Sequence, residues 1–259
     1  MTSGNVQVSR DGPVAVLTLT RPKKLNAVDS AALTELNRAL ADADADPAIR
    51  VAVLTGSGER AFCAGADIHE MAQSSPASYR DGLGTLFVRI VERMRGMGKP
   101  LIAAVNGYAF GGGMVLALGA DLLVAADTAQ FGVQEINVGM IGGASLLVRL
   151  LGHHRAAELT MLGEAISAAE AARLGFVNRV VPAADLMPEA KRLARALAEK
   201  PATALRLLKQ ALRIGAGMEL DAGLAYERDL NMLCFALPER VAAMQRFLGG
   251  RPATAGGQS

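Results

Sequence analysis

Apolar residues along this chain fall into two alternating kinds of run. Val14-Ala15-Val16-Leu17-Thr18-Leu19-Thr20 is β-branched, alternates at its end and halts at Arg21-Pro22, which predicts a strand. Residues 30–45 instead carry Leu33, Leu36, Leu40 and Ala43 on one helical stripe. Further short apolar strands are predicted at 50–54, 101–105 and 122–125. Between them, 76–97 reads as one helix with Leu86, Ile90, Val91, Met94 and Met97 on a single face, and 112–118 reads as a buried helix. Helices follow at 144–151, 153–162 and 168–174. The last is opened by a capping box, Ser167-Ala168-Ala169-Glu170, and closed by Gly175. Residues 177–181 form a short strand ending at Pro182. From Ala183 onward strand signals cease, and helices are broken at Lys200-Pro201, Ile214-Gly215-Ala216-Gly217 and Leu237-Pro238. The tail, 253–259, reads as frayed. Strands alternating with helices, then helices alone, predict an α/β core over residues 1–200 and a helical region over 201–259.

Composition narrows the class. The chain has 259 residues, 51% hydrophobic and 20% charged, with a net charge of +2, so nothing in the total asks for nucleic acid as a partner. Its longest apolar stretch, 114–126, is interrupted by Gly119 and Asp121 and is too short to span a bilayer. The first residues lack the basic and apolar regions of a signal peptide. Cys63 and Cys234 read as two free thiols in a reducing compartment. The expectation is a soluble, cytoplasmic protein.

Two loops carry the candidate chemistry. Phe62-Cys63-Ala64-Gly65-Ala66-Asp67-Ile68 and Asn106-Gly107-Tyr108-Ala109-Phe110-Gly111-Gly112-Gly113 each follow an apolar strand and open a helical stretch. Small residues let a ligand reach the backbone, and free N–H groups at a helix start favour negative charge. Brought together, two such loops would hold one developing oxyanion between two amides, which chemistry on a thioester carbonyl requires. Gly56-Ser57-Gly58-Glu59-Arg60-Ala61 fits a dinucleotide fingerprint, but Phe62-Cys63-Ala64-Gly65 is not the helix that such a motif must open.

The paired loops, together with Arg21-Pro22-Lys23-Lys24-Leu25-Asn26-Ala27, residues 129–136 and 162–168, Phe247 and Arg251, resemble the crotonase superfamily, the enoyl-CoA hydratases and isomerases. The motifs occur in family order over nearly the whole chain. The resemblance implies an α/β fold, a crotonase-like spiral of ββα units with a C-terminal all-helical trimerisation region. It implies an oxyanion hole from the backbone N–H groups of Ala66 and Gly112, and a CoA-binding wall of Lys23, Lys24, Leu25, Ala64 and Ile68. Lysines suit CoA phosphates as mobile point charges, although a solvated surface pair has the same appearance. The partner it implies is an acyl-CoA substrate, with a homotrimer or dimer of trimers, and no cofactor beyond the CoA moiety. Relatives carry an acid–lysine pair where this chain has Gly249-Gly250, which leaves Arg251 as the C-terminal phosphate contact.

The acidic positions bear on the reaction. Two-carboxylate hydratases of the superfamily place one Glu in the helix after the glycine triplet and another twenty positions on. Here those positions are Val115 and Glu135. Glu135 lies among apolar groups, which raise a carboxyl pKa toward that of a useful acid/base. One carboxylate suffices to take a proton from one carbon and return it to another, so 3-enoyl to 2-enoyl isomerisation is expected. The alternatives are a hydratase using Glu135 and a backbone-held water, and a catalytically degenerate acyl-CoA-binding or RNA-binding relative. The missing first Glu supports an acyl-CoA carrier; the RNA-binding reading rests on Lys191, Arg192, Arg195, Arg206, Lys209 and Arg213, whose spacing along helices better suits solvated faces. Dehalogenase- or decarboxylase-like chemistry finds no placed nucleophile. His69, His153 and His154 read as structural and lack metal-ligand spacing; Ser145 reads as a helix cap or substrate contact. Tyr79, Leu83, Leu86 and Phe87 are candidate pocket walls, although core packing is the more common use of such side chains.

Overall fold

The computed structural model describes residues 4–249. Chain contacts divide it into two compact units, one ending at Ala198 and one beginning at Glu199.

The first unit opens with a hairpin, β1 (Val6–Asp11) and β2 (Val14–Leu19), followed by helix α1 (Ser30–Ala45). Strands β3 (Val51–Gly56) and β4 (Ala61–Cys63) lead into helices α2 (Ile68–Gln73), α3 (Pro76–Tyr79) and α4 (Thr85–Gly96). Next come β5 (Leu101–Val105), β6 (Tyr108–Phe110) and α5 (Gly112–Leu118), then β7 (Leu122–Ala126), β8 (Gln130–Gly132) and α6 (Ala144–Leu162). The unit finishes with β9 (Ile166–Ser167), α7 (Ala168–Arg173), β10 (Arg179–Val181) and α8 (Leu186–Ala198).

After the β1–β2 hairpin, which stays in one sheet, the strands of each consecutive pair (β3 and β4, β5 and β6, β7 and β8) go to different sheets. One sheet runs β1-β2-β3-β5-β7-β10 and the other β4-β6-β8-β9. From β3 to α6 each turn of chain thus lays one strand on each sheet and then helix, which makes a spiral of ββα units. The β2, β3, β5, β7 and β10 strands pair in parallel, as do β4, β6 and β8. Because both faces of the central strands are covered, β3 and β5 are buried along their whole length and read as unbroken apolar runs. The α1 stripe is buried as its spacing predicts, and Asp29 caps its start by accepting from the Ala32 amide at 2.8 Å.

Several expectations are corrected. The helix predicted over 76–97 is broken: Gly82 leaves helical geometry (φ −99°, ψ −109°), and residues 80–84 form a wider turn between α3 and α4. Strand β1 carries no strong signal because it is a polar edge strand with four exposed residues. The second sheet is made of strands of two or three residues, too short for periodicity to reveal. The helices predicted at 144–151 and 153–162 are present as the two halves of α6, separated by Gly152, which leaves helical geometry (φ 74°, ψ 172°). At α7 only half of the capping box forms: Ser167 accepts the Glu170 amide at 3.2 Å, while the Glu170 carboxylate pairs with Arg173 at 2.6 Å.

The second unit is helical throughout its described part, with α9 (Ala202–Gly215), α10 (Leu220–Phe235) and α11 (Pro238–Gly249). Helices α9 and α10 pack together, joined by a Gln210–Tyr226 hydrogen bond of 2.5 Å. Arg251 and the predicted frayed tail lie outside the described residues.

Candidate active site

The site is assembled at the ends of β4, β6 and β8, where the chain leaves the smaller sheet. The loop after β4 is tied to the turn after β2. Val28 donates to the Gly65 carbonyl at 2.8 Å, and Asp67 donates back to the Val28 carbonyl at 2.9 Å, forming an isolated parallel bridge centred on Ala66. The buried Asp67 carboxylate accepts from Arg21 at 2.8 Å and from Lys24 at 2.9 Å. Burial pushes this carboxyl up, but the Lys24 and Arg21 hydrogen bonds outweigh it and hold its pKa down at about 2. Arg21 also pairs with Asp29 at 2.9 Å, and Glu70 of α2 accepts from the Ser30 amide at 2.9 Å. These bonds lock the first turn of α1 to the loop.

Within this frame the Ala66 amide donates to no protein group among the described residues, and neither does the Gly112 amide at the start of α5. The loops abut: a Cβ on Gly65 would come within 3.3 Å of the Gly112 nitrogen and 3.0 Å of the Phe110 carbonyl oxygen. Gly65 sits at φ +106°, outside the range of ordinary side-chain-bearing residues. Gly111 sits at φ +52° and donates to the Gly132 carbonyl at 2.8 Å, which anchors the second loop to β8. Cys63 lies behind the loops, fully buried, with the Gly65 amide 3.4 Å from its sulfur; burial pushes its thiol up to about 12.

Glu135 begins a short 3₁₀ turn, 135–138, just after β8. Its carboxyl is wedged between two glycines. A Cβ on Gly111 would lie 2.9 Å from Oε1, and one on Gly142 would overlap the same oxygen. Oε2 is buried with no hydrogen-bond partner among the described residues. Burial raises the Glu135 pKa, and a bond to its own backbone only partly offsets this. The rise expected from the sequence is present, and desolvation is its cause. Val115 and Val133 converge on one point beside Gly143: a Cβ there would lie 3.1 Å from Val133 Cγ2 and 3.6 Å from Val115 Cγ2. The position that holds an acid in two-carboxylate relatives is therefore part of an apolar wall.

A cavity of about 650 Å³ joins these groups. Ala64, Ala66, Ile68, Gly112, Val115, Glu135 and Ser145 line it. Lys23, Lys24 and Leu25 do not. Leu25 is joined to the wall through its carbonyl, which accepts from the Ala64 amide at 3.0 Å, and Lys24 is spent on Asp67. Tyr79 and Phe87 line the cavity as expected, whereas Leu83 is buried in the core and Leu86 packs against it. The sequence reading missed Glu92, Arg95, Gln134 and the 140–143 segment. For the α4 residues the signal was available: Phe87, Val91 and Arg95 recur every fourth residue. The 140–143 segment has no periodicity to betray it. The fingerprint-like Gly56-Ser57-Gly58 is a turn into β4, pinned by Asn26, which donates to the Ser57 and Ala61 carbonyls at 2.9 and 2.7 Å. His69 is exposed, and His153 and His154 stack edge to face beside the α6 bend. Among the described residues no three His, Cys, Asp or Glu side chains gather as a metal site, and no helix is long and apolar enough to cross a membrane.

A ββα spiral of two mainly parallel sheets, with two unpaired loop amides and a partnerless carboxyl oxygen at its strand ends among the described residues, and a helical unit after it in the chain, is the crotonase fold. The chain belongs to the enoyl-CoA hydratase/isomerase family, whose profile matches residues 9–257. It is 40% identical over 254 residues to a probable enoyl-CoA hydratase of Mycobacterium tuberculosis, covering 97% of both chains. It is 40% identical over 247 residues to the 2,3-dehydroadipyl-CoA hydratase of Escherichia coli, covering 94% of this chain and 95% of that one. The structure of an enoyl-CoA hydratase from Bacillus anthracis superposes with a TM-score of 0.92 at 34% identity, covering 95% of this chain and 97% of the other.

Proposed function

We propose that this protein isomerises 3-enoyl-CoA thioesters to 2-enoyl-CoA. The thioester oxygen sits between the Ala66 and Gly112 amides. Glu135, as the carboxylate, takes a proton from C2; the electron pair passes into a dienolate whose oxygen the two amides stabilise. The same carboxyl, now protonated, returns the proton to C4, and the double bond settles between C2 and C3. Each amide donor is worth about 3 kcal/mol of transition-state stabilisation at such a site. Leu25, Ala64 and Ile68, with the mobile ammonium of Lys23, form the side toward CoA, and Lys24 contributes once it exchanges Asp67 for a phosphate. CoA is the only carrier that the reaction asks for. The chain acts as a homotrimer or a dimer of trimers.

One observation carries the choice of reaction: Val115, an apolar side chain, lines the same cavity as Glu135 at the position where two-carboxylate relatives carry their other acid. A second reading, hydration of 2-enoyl-CoA with one Glu and a backbone-held water, is favoured by the hydratase names of the matching relatives. Incubation with 3-enoyl- and 2-enoyl-CoA, followed by mass spectrometry and proton NMR, separates the two. Isomerisation leaves the mass unchanged while the vinyl protons move; hydration adds one water. Water addition to the 2-enoyl substrate with no shift of the 3-enoyl bond would overturn the isomerase reading.

A further inference from the structure

The cavity extends past the acid. The Phe87 ring faces the backbone of Gly112, and from there the wall runs along one stripe of α4 through Val88, Val91 and Glu92 to Arg95. These positions share one face of the helix. Arg95 is half-buried at the far end of this largely apolar wall, and no hydrogen bond or ion pair joins it to another described residue. Its neighbour Arg93 bonds Asn37 at 3.3 Å, and Arg21 is held by two carboxylates. Glu92 lies on the same stripe but is exposed, and no ion pair joins it to Arg95. A partly desolvated guanidinium without an anion, at the end of an apolar channel, matches a carboxylate by its fork of donors.

We propose that the pocket accepts acyl-CoA substrates whose chain ends in a carboxylate, and that Arg95 receives that group. This rests on reading the cavity as the thioester site. The eight helical steps from Phe87 to Arg95 span about 12 Å of helix axis, and the Arg95 side chain leans back toward the helix start. A zigzag chain with C–C bonds of about 1.5 Å therefore reaches the guanidinium with roughly six to ten carbons. A neutral chain end leaves the guanidinium unpaired, and sites built for a polar group discriminate strongly against analogues that lack it.

Calorimetry with two saturated acyl-CoAs of about eight carbons, one ending in a methyl and one in a carboxylate, reads binding without turnover. The wild-type protein is expected to bind the carboxylate-ended thioester roughly tenfold tighter or more. Arg95→Leu reverses that order, Arg95→Lys keeps part of it, and Glu92→Gln enlarges it. Equal or tighter binding of the methyl-ended thioester by wild-type protein would overturn the proposal, whether or not the variants fold. So would an equal loss of both ligands in a folded Arg95→Leu. Binding of neither ligand overturns the thioester reading and this proposal with it. A carboxylate preference without double-bond migration supports Arg95 and sinks only the isomerase reading.

Discussion

Glu135 shows how local backbone sets the chemistry of one side chain. Two glycines leave just enough room for its carboxyl, and burial of Oε2 without a partner among the described residues makes its charged form costly. Its pKa is raised by burial, so the carboxylate that takes the proton forms at a higher pH than in an exposed Glu. The acid limb of kcat/KM is expected above pH 4.5, the unperturbed value for this group. Glu135→Gln should lower proton exchange at C2 by about 10²–10⁴-fold, read by deuterium incorporation from solvent. It should not lower thermal stability at neutral pH. A raised folded-state pKa means that stability is fully present below the unfolded value and declines as pH rises through the folded one, and the amide variant escapes that decline. Gly142→Ala is the complementary test. Its methyl displaces the carboxyl, so kcat should fall at least about tenfold while the melting temperature moves by only a few degrees. The chemical identity of Glu135 was legible in the sequence, and so was its burial, from the apolar residues around it. The slot was not, because Gly142 lies seven positions beyond Glu135 in a segment with no regular period.

At the scale of elements, the longest and most periodic segments were readable and the shortest were not. The α1 helix occupies the residues its leucine stripe predicts, and β3 and β5 follow their apolar runs. The strands of the smaller sheet are three residues or fewer, and their pairing comes from neighbours distant in sequence. That is why the two loops were recognisable by composition while the sheet that aligns them was not. The β1 strand belongs to the same group: its end is fixed by Asp11, which Lys191 and Arg195 of α8 hold at 3.0 and 3.2 Å. The ion cluster around Asp67 has a measurable weight. Its folded-state pKa of about 2, against an ordinary 3.8, corresponds to roughly 2 kcal/mol of stability. Because the shift is downward, this stability is present above the ordinary value and is lost as pH falls toward 2. Asp67→Asn should therefore lower stability by about 2 kcal/mol near neutral pH, with the difference closing below pH 4. Denaturant titrations across that range check it.

For the whole molecule, the described surface carries large exposed apolar side chains on α9, α10 and α11, among them Leu212, Leu220, Leu224, Met232, Phe235 and Met244. The proposed trimer would bury such a face between copies of the chain. Light scattering is expected to give three or six chain masses; a monomer at micromolar concentration would contradict the trimer.

The two cysteines differ in a way that has a practical use. Cys63 is sealed beneath both loops with its thiol pushed up to about 12, while Cys234 is partly open to solvent. Alkylation of the native protein should therefore stop at one adduct, on Cys234. The slow appearance of a second adduct times the parting of the loops, so an unmodified chain carries its own stopwatch for disassembly of the site.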